Sequence, residues 1–184
     1  MAAQDLTGSE AASLSPLALR PITDADRPFV LELNAESVHF LAPMDDEHLG
    51  YLLEWATFAE IAEHAGQRVG FVLLFASGTG YDGLNYEWFT DRYDDFLYLD
   101  RIVVSSAHRR AGHASAIYDL VEARHPRIAL EVNTVPPNLA SLEFHHGRGY
   151  QPVGERSSAD GSYVVEMLIK DRSATPGSTP RSAP

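Results

Sequence analysis

The residues LDRIVVSSAHRRAGHA, at positions 99–114, are the most informative part of this chain. Apolar and β-branched residues dominate their first half, which predicts a strand over Phe96–Ser105. After a turn, apolar residues recur at positions 114, 117, 118 and 121, one face of a helix predicted over about Gly112–Arg124. The first amides of such a helix have no partner within it, and the helix dipole makes that end positive. The pattern therefore predicts a strand, a turn and a helix whose start can bind an anion.

The turn itself suits a pyrophosphate. Ala111, Gly112 and Ala114 lack bulk, so a ligand can approach the backbone closely, and Arg109 and Arg110 add positive charge. The two arginines stand out because the chain has 26 acidic residues against 14 basic ones. The alternative is an ordinary strand–helix turn with solvated arginines.

Hydrophobic patterns on either side predict an α/β fold, a mixed sheet with helices on both faces. The predicted order is βααβββαβαββ, and each strand–helix–strand crossover makes adjacent strands parallel. Thr23 is a good N-cap for the first helix, and the Gly66-Gln67 pair suits a hairpin turn. The other predicted strands are Leu17–Pro21, Phe58–His64, Val69–Ala76, Ile128–Asn133, Tyr150–Glu155 and Tyr163–Ile169, and the other helices end at about His39 or span Asp45–Ala56 and Asn138–His146.

Composition limits the classes of partner and of chemistry. The 184 residues suit one domain, predicted at 17–170, between tails at 1–16 and 171–184 that are too poor in apolar residues to order themselves. A net charge of −12 argues against nucleic acid and anionic membranes as partners. The absence of cysteine excludes disulfides, thiolate metal sites and a cysteine nucleophile. With no signal peptide or membrane span visible, we expect a cytoplasmic protein.

A second informative segment, NLASLEFHHGRGY at positions 138–150, follows one strand further along. It resembles the Asn-x-x-(Ser/Ala)-x-x-Phe-Tyr-x-x-x-Gly-Phe segment of the GCN5-related N-acetyltransferase (GNAT) superfamily. Arg109-x-x-Gly112-x-Ala114 matches the (Gln/Arg)-x-x-Gly-x-(Gly/Ala) signature of the same superfamily. The predicted element order is also the superfamily's, so the resemblance covers nearly all of Leu17–Lys170.

The resemblance implies acetyl-CoA as co-substrate and a primary amine, on a small molecule or a peptide, as acceptor. It also implies that Asn138 contacts the cofactor chain, and a homodimer is common in the superfamily. The thioester would lie where the Phe96–Ser105 and Ile128–Asn133 strands diverge, its carbonyl polarised by a strand amide. The pantetheine arm would pair with the backbone of Ile102, Val103 and Val104, and the pyrophosphate would be held by the amides of Arg109, Arg110, Ala111, Gly112, His113 and Ala114.

One departure from the superfamily's pattern matters. His145 stands where a tyrosine usually protonates the leaving thiolate. A histidine near its ordinary pKa of about 6.5 can serve as that acid. The alternative is that His145 packs beside the cofactor while water supplies the proton. The adjacent His146 would face another direction and lie at the surface.

Two carboxylates are candidates for the general base that accepts a proton from the amine. Glu131 and Asp100 lie on the two strands that would flank the thioester, where partial burial raises the pKa of a carboxyl group. Alternatively, Asp100 pairs with a cation such as Arg101, and Glu131 is a structural hydrogen bonder. Positioning of the two substrates without a strong base is a further alternative.

The connection at Ser77–Asp94 is long for a loop and rich in aromatic residues. Tyr81, Asn85 and Tyr86 are its candidates for the wall of an acceptor pocket, a role that the corresponding loop has in the superfamily. The alternative is that its aromatic residues pack against the edge of the sheet.

Other motifs are less specific. Residues 78–83 read GTGYDG, a literal GxGxxG, but residues 84–94 show no clean apolar face for the helix that a dinucleotide site requires. The eight histidines form no His-Glu-x-x-His motif, so no metal is predicted. The predicted function is N-acetyl transfer within a ternary complex. Transfer of a longer acyl group and a non-catalytic acyl-CoA-binding domain are the alternatives.

Overall fold

A computed structural model describes residues 16–38 and 41–173 of the chain. The tails expected at 1–16 and 171–184 fall almost entirely outside these residues, although Asp171 ends the last strand. The strands of the described part are β1 (Ala18–Pro21), β2 (Phe58–His64), β3 (Gln67–Ala76), β4 (Leu97–Val104), β5 (Arg127–Val135), β6 (Gln151–Ser157) and β7 (Val164–Asp171). The α-helices of the described part are α1 (Arg27–Glu36), α2 (Asp46–Trp55), α3 (Leu84–Thr90), α4 (His113–Glu122) and α5 (Leu139–Gly147). Within the described ranges, no helix is both long and apolar enough to cross a membrane.

The strands form one mixed sheet in the order β1-β2-β3-β4-β5-β7-β6. β4 and β5 are parallel, and the other neighbouring pairs are antiparallel, which confirms the predicted fold class. The parallel pairing is short, because it joins Leu97 to Ile128 and Tyr98 to Ala129 and extends no further along these strands. Beyond Tyr98 the two strands diverge, and the gap between them positions the site described below.

A bulge in β4 gives Asp100 a special position. Across the β3–β4 ladder, Leu73 pairs with Arg101 and Leu74 pairs with Leu99, so Asp100 has no residue opposite it. An extra residue of this kind reverses the faces to which the following side chains point. Leu97 and Leu99 accordingly pack on one face of the sheet, whereas Val103, which would share that face in a regular strand, packs on the other.

Helices cover both faces of the sheet, as the sequence predicts. On one face, α1, α2 and α3 pack against the sheet through the buried residues Val30, Leu33, Leu49, Leu52, Tyr86 and Phe89. On the other face, α4 packs through Ile117, Tyr118 and Val121, with Leu142 and Phe144 of α5 beside them. The gap between β4 and β5 therefore lies between two layers of helices, one on each face of the sheet.

The helix α3 was not predicted. It is short, and its buried side is formed by the aromatic residues Tyr86 and Phe89 one turn apart, which is too brief a pattern to define an apolar face. It begins directly after the GTGYDG motif, within the segment Ser77–Asp94 that was predicted as a connection between strands. Two of the three glycines of this motif face the chain's own aromatic rings: a Cβ atom would meet the ring of Trp55 at Gly80 and that of Tyr81 at Gly83.

The hairpin turn between β2 and β3 lies one residue earlier than predicted. Ala65 and Gly66, not Gly66 and Gln67, are its two central residues, with φ angles of +51° and +74°. A two-residue turn of this hand requires positive φ at both positions, which glycine adopts without strain and alanine does not.

Candidate active site

Two cavities meet in the gap between β4 and β5. The larger cavity has a volume of about 610 Å³ and is lined on its outer side by residues of α2 and α3. The smaller cavity, about 180 Å³, is lined by residues of α4 and α5. Both are lined by Leu41, Asp100, Glu131 and Asn133. The two carboxylates predicted as candidate bases are therefore brought together where the cavities join.

Glu131 is held by two neutral donors. Asn85 Nδ2 donates to Oε1 at 2.7 Å, and the hydroxyl of Tyr98 donates to Oε2 at 2.7 Å. Burial, followed by the negative charge of Asp100, raises the pKa of Glu131 from its ordinary value of 4.5 to about 7. A carboxyl group with such a pKa can accept and release a proton near neutral pH.

Asp100 is bound to an arginine and a tyrosine. Its Oδ2 accepts from Arg101 Nε at 3.1 Å, and its Oδ1 accepts from the Tyr81 hydroxyl at 2.8 Å. The side chain is 10% exposed, and burial raises its pKa despite the adjacent guanidinium. The pairing with Arg101, one of the alternatives considered for Asp100, is therefore present. Asp100 has a close cationic partner, whereas Glu131 has none within residues 16–38 and 41–173, so Glu131 is the more accessible candidate for proton exchange.

His145 lies at the smaller cavity with both ring nitrogens engaged. Nδ1 lies 2.7 Å from the carbonyl oxygen of Ser141, which can only accept, so Nδ1 carries the proton. Nε2 lies 2.6 Å from the hydroxyl of Tyr118, which donates to it. Burial lowers the pKa of His145 from 6.5 to about 4, so the imidazole is neutral at pH 7. The expected ordinary histidine pKa at this position is therefore wrong.

Tyr118 was not singled out from the sequence as a site residue. It occupies an apolar-face position of α4, where its spacing predicts core packing, and its ring is indeed buried. Its hydroxyl nevertheless reaches His145 on α5, and both residues line the smaller cavity. The surface residue His146, by contrast, is exposed as predicted and lies 2.8 Å from Glu166.

The turn before α4 has the features expected of an anion site. Gly112 has a φ of +80° and caps the helix without a side chain, and the first turn of α4 contains no acidic residue. Ala116 donates the first intrahelical bond, to the Gly112 carbonyl at 3.0 Å, so the amides before it have no partner within the helix. The exposed residues of this turn are Arg109, Arg110, Ala111 and Gly112.

His113 contributes its backbone rather than its ring to this turn. Its imidazole is buried, and its ring centroid lies 4.9 Å from that of His64 and 6.2 Å from that of His108. Among the described residues, no group of three or more histidine, aspartate or glutamate side chains could hold a metal ion.

The open edge of β4 leads from the turn to the carboxylates. Ile102, Val103 and Val104 pair with β3 on one side, while β5 has already diverged on the other. Asn138, at the start of α5, accepts from the Ser141 amide at 3.2 Å and also lines the smaller cavity. Ile102 and Asn138, two of the residues predicted to contact the cofactor, thus line the same cavity.

Of the three residues predicted for the acceptor wall, two line the larger cavity and one does not. Tyr81 and Asn85 line it and bind the two carboxylates. Tyr86 is 2% exposed, because it lies on the inner side of α3, and its hydroxyl donates to the Ala76 carbonyl at 2.8 Å. Tyr86 is therefore part of the core, as the alternative for this connection had it.

Sequence reasoning missed further residues of the larger cavity. Tyr98 alternates with core residues of β4, and Arg156 and Tyr163 lie in or beside the terminal strands, far from any motif. Arg156 Nε donates to Asn85 Oδ1 at 2.6 Å, and Nη2 donates to the Tyr163 hydroxyl at 2.8 Å. No local pattern in the sequence relates these positions to the loop that they contact.

Comparison with known proteins identifies the same family. The model of the acetyltransferase (GNAT) family matches residues 18–150. No curated protein sequence matches the chain significantly. Among solved structures, Ard1 from Thermoplasma volcanium has a TM-score of 0.64 and 16% identity, over 84% of this chain and 97% of that one.

Two further structures have similar folds. The ribosomal-protein-S18-alanine N-acetyltransferase from Escherichia coli has a TM-score of 0.59 and 14% identity, over 89% of this chain and 98% of that one. Naa50 from Arabidopsis thaliana, solved with the bisubstrate analogue CoA-Ac-MVNAL, has a TM-score of 0.59 and 14% identity, over 84% of this chain and 98% of that one. At these identities the likeness shows the fold alone.

Proposed function

The chain belongs to the acetyltransferase (GNAT) family, and from that premise we propose that it transfers an acetyl group from acetyl-CoA to a primary amine by direct attack in a ternary complex. The observation that carries this proposal is the meeting of the two cavities at Asp100 and Glu131. One cavity can receive the amine and the other the acyl end of the cofactor, so that both reach a carboxylate with a raised pKa.

Three features of the chain fit coenzyme A. The uncapped start of α4 offers free amides and positive helix polarity to the pyrophosphate. A Cβ atom at Gly112 would meet nothing within 4 Å, so the space beside its backbone is open. The edge of β4 that faces the gap, at Ile102–Val104, has backbone groups available to an extended pantetheine arm. When bound, acetyl-CoA would supply the acetyl group as a thioester.

Glu131 is the proposed general base. The amine nitrogen forms a bond to the acetyl carbon, the carbon–sulfur bond breaks, and the proton lost by the nitrogen passes to Glu131, directly or through water. The pKa of about 7 allows Glu131 to hold that proton briefly and return it to solvent. Asp100 supports this role through its negative charge, which raises the pKa of Glu131.

His145 and Tyr118 form the proposed environment of the leaving sulfur. A neutral imidazole whose only N–H binds the Ser141 carbonyl has no free proton to donate, so we assign His145 a positioning role. It holds the Tyr118 hydroxyl at the smaller cavity, where that O–H can turn toward the developing thiolate and stabilise it by a hydrogen bond. The thiolate then takes a proton from water and leaves as the thiol.

A non-catalytic acyl-CoA-binding domain is the second candidate. The observation that favours it is the neutral, fully bonded His145 in place of the usual tyrosine. A domain of this kind would bind coenzyme A and release no thiol with any amine.

Calorimetric titration with acetyl-CoA, followed by mass spectrometry of an amine panel incubated with protein and acetyl-CoA, tests the proposal. We expect saturable binding and at least one acetylated amine. Binding without product would favour the second candidate, and the absence of binding would contradict both.

A further inference from the structure

The larger cavity contains an arginine that has no carboxylate partner among the described residues. Two arginines line this cavity, and Arg101 is paired with Asp100 at 3.1 Å. The guanidinium of Arg156 instead binds two neutral oxygens, those of Asn85 and Tyr163. In a chain with 26 acidic and 14 basic residues, an unneutralised cation at a cavity wall indicates a place for a ligand's anionic group.

Asn85 fixes the position of this cation relative to the proposed base. Its Oδ1 accepts from Arg156 Nε at 2.6 Å, and its Nδ2 donates to Glu131 Oε1 at 2.7 Å. Both ends of the amide are used, so its orientation is determined by its two neighbours. Glu131, Asn85 and Arg156 form a row in which the carboxylate and the guanidinium are separated by one amide group.

This row is short enough for a small ligand to span. Two hydrogen bonds and one amide group place Glu131 Oε1 and Arg156 Nε at most roughly 8 Å apart. A ligand that contacts both ends through hydrogen bonds of its own can therefore have its amine and its anion close together. One or two carbon atoms between them are enough to reach both ends of the row.

We propose that the acyl acceptor is a small amino carboxylate, an α- or β-amino acid, whose carboxylate binds Arg156 while its amine lies at Glu131. This inference rests on the proposed function. A guanidinium recognises a carboxylate through paired, charge-assisted hydrogen bonds, and that geometry also orients the amine. The rings of Tyr51, Tyr81 and Tyr163 line the same cavity and can pack against an apolar side chain of the amino acid.

The inference distinguishes this acceptor from two other classes of amine. The N-terminus of a peptide carries an amide where the free amino acid carries its carboxylate, so it leaves Arg156 without an anion. A polyamine brings a second positive charge to the same place. We therefore expect peptides and polyamines to bind more weakly than a free amino acid.

The test compares free amino acids with their carboxamides as acceptors for the wild-type protein and for Arg156→Gln. We expect the wild type to prefer the carboxylate form by about 10- to 100-fold in kcat/KM, the range expected for one charge-assisted contact. In Arg156→Gln this preference should disappear, because the rate with the acid falls more than the rate with the carboxamide. Arg92→Gln, an exposed arginine outside the cavity, is the matched control and should keep the preference.

A parallel measurement separates failure of this inference from failure of the proposed function. Calorimetric binding of the same acids and carboxamides to the protein saturated with CoA needs no turnover. Carboxylate-dependent binding that Arg156→Gln removes supports the inference even where no thiol is released. Equal binding and equal rates for acids and carboxamides in the wild type would overturn it, and so would an equal loss of both in Arg156→Gln, which would give Arg156 only the role of positioning Asn85.

Discussion

The hydroxyl of Tyr118 lies 2.6 Å from Nε2 of His145, and this contact ties the core of α4 to the proposed site of the leaving sulfur. The His145 ring is fixed on its other side by the Ser141 carbonyl, at 2.7 Å from Nδ1. The histidine therefore acts as an acceptor toward Tyr118. The hydroxyl that can hydrogen-bond to the leaving sulfur therefore belongs to α4. The sequence motif places that group on α5 instead.

Replacement of Tyr118 by Phe tests the assignment of the leaving-group contact. We expect kcat to fall about ten-fold, the effect of one hydrogen bond to a charged group, while the affinity for CoA changes little. Rates of thiol release at saturating substrates and calorimetric CoA titrations measure the two quantities. Tyr86→Phe, which removes a buried hydroxyl on the other face of the sheet, is the control for general destabilisation. An unchanged kcat in Tyr118→Phe would refute the role.

Asp100→Asn should move the pH profile in a defined direction. The negative charge of Asp100 raises the pKa of Glu131, so its removal lowers that pKa below about 7. The acidic limb of kcat/KM, which reports the free enzyme's base, should therefore shift to lower pH. Asp82→Asn, at the wall of the same cavity, is the control, because Asp82 is not among the groups that shift the Glu131 pKa. An acidic limb at the same pH in both variants would mean that a group other than Glu131 determines it.

Gly112→Ala tests the pyrophosphate site against a matched glycine. Gly112 and Gly78 have φ angles of +80° and +82°, and a Cβ atom at either meets nothing within 4 Å. Alanine at either position should therefore destabilise the fold similarly, by about 1 kcal/mol, because the left-handed conformation is strained. We expect only Gly112→Ala to weaken CoA binding as well, since the added methyl group occupies the open space beside the turn. Thermal unfolding and calorimetry give the two readouts, and equal CoA affinity in both variants would exclude this turn as the cofactor site.

The stability of the fold should decrease in acid because of His145. Its pKa of about 4 in the folded chain lies below the ordinary value of 6.5, so the unfolded chain binds more protons between these values. The corresponding stabilisation is present above pH 6.5 and is lost as the pH falls toward 4, by about 3 kcal/mol. Glu131 contributes in the opposite direction, so the comparison is made between the wild type and His145→Gln, which share Glu131. Urea unfolding of both proteins at each pH should give free energies whose difference narrows in acid, and a constant difference would contradict the buried neutral histidine.

The fold was largely predictable because its most informative segment, residues 99–114, is continuous in the sequence. The strand, Gly112 and the apolar face of α4 are adjacent in the sequence, so their periodicity predicts their structure directly. The helix α3 was missed because a seven-residue helix with two buried aromatic residues has too little periodicity to recognise.

The backbone segments that line the candidate site were easier to predict from the sequence than the contacts and protonation states of its side chains. Glu131 and Asp100 could be identified from their strands, whereas the bulge that sets Asp100 apart depends on pairing with β3. Arg156 and Tyr98 meet the site through contacts between distant segments, which a single sequence does not encode in any motif. The hydrogen bond of His145 to Tyr118, 27 residues away, likewise joins distant segments.

The most direct test of the account is thiol release from acetyl-CoA by the wild type and by Glu131→Gln, each with and without an amine acceptor. The chain has no cysteine, so a thiol reagent reports the released coenzyme alone. Glu155→Gln, an exposed glutamate on β6, is the control for removal of a carboxylate. The account predicts amine-dependent release by the wild type and by Glu155→Gln, and release about 100- to 1,000-fold slower in Glu131→Gln with unchanged affinity for CoA. Equal rates in Glu131→Gln and the wild type, or release that does not depend on the amine, would contradict it.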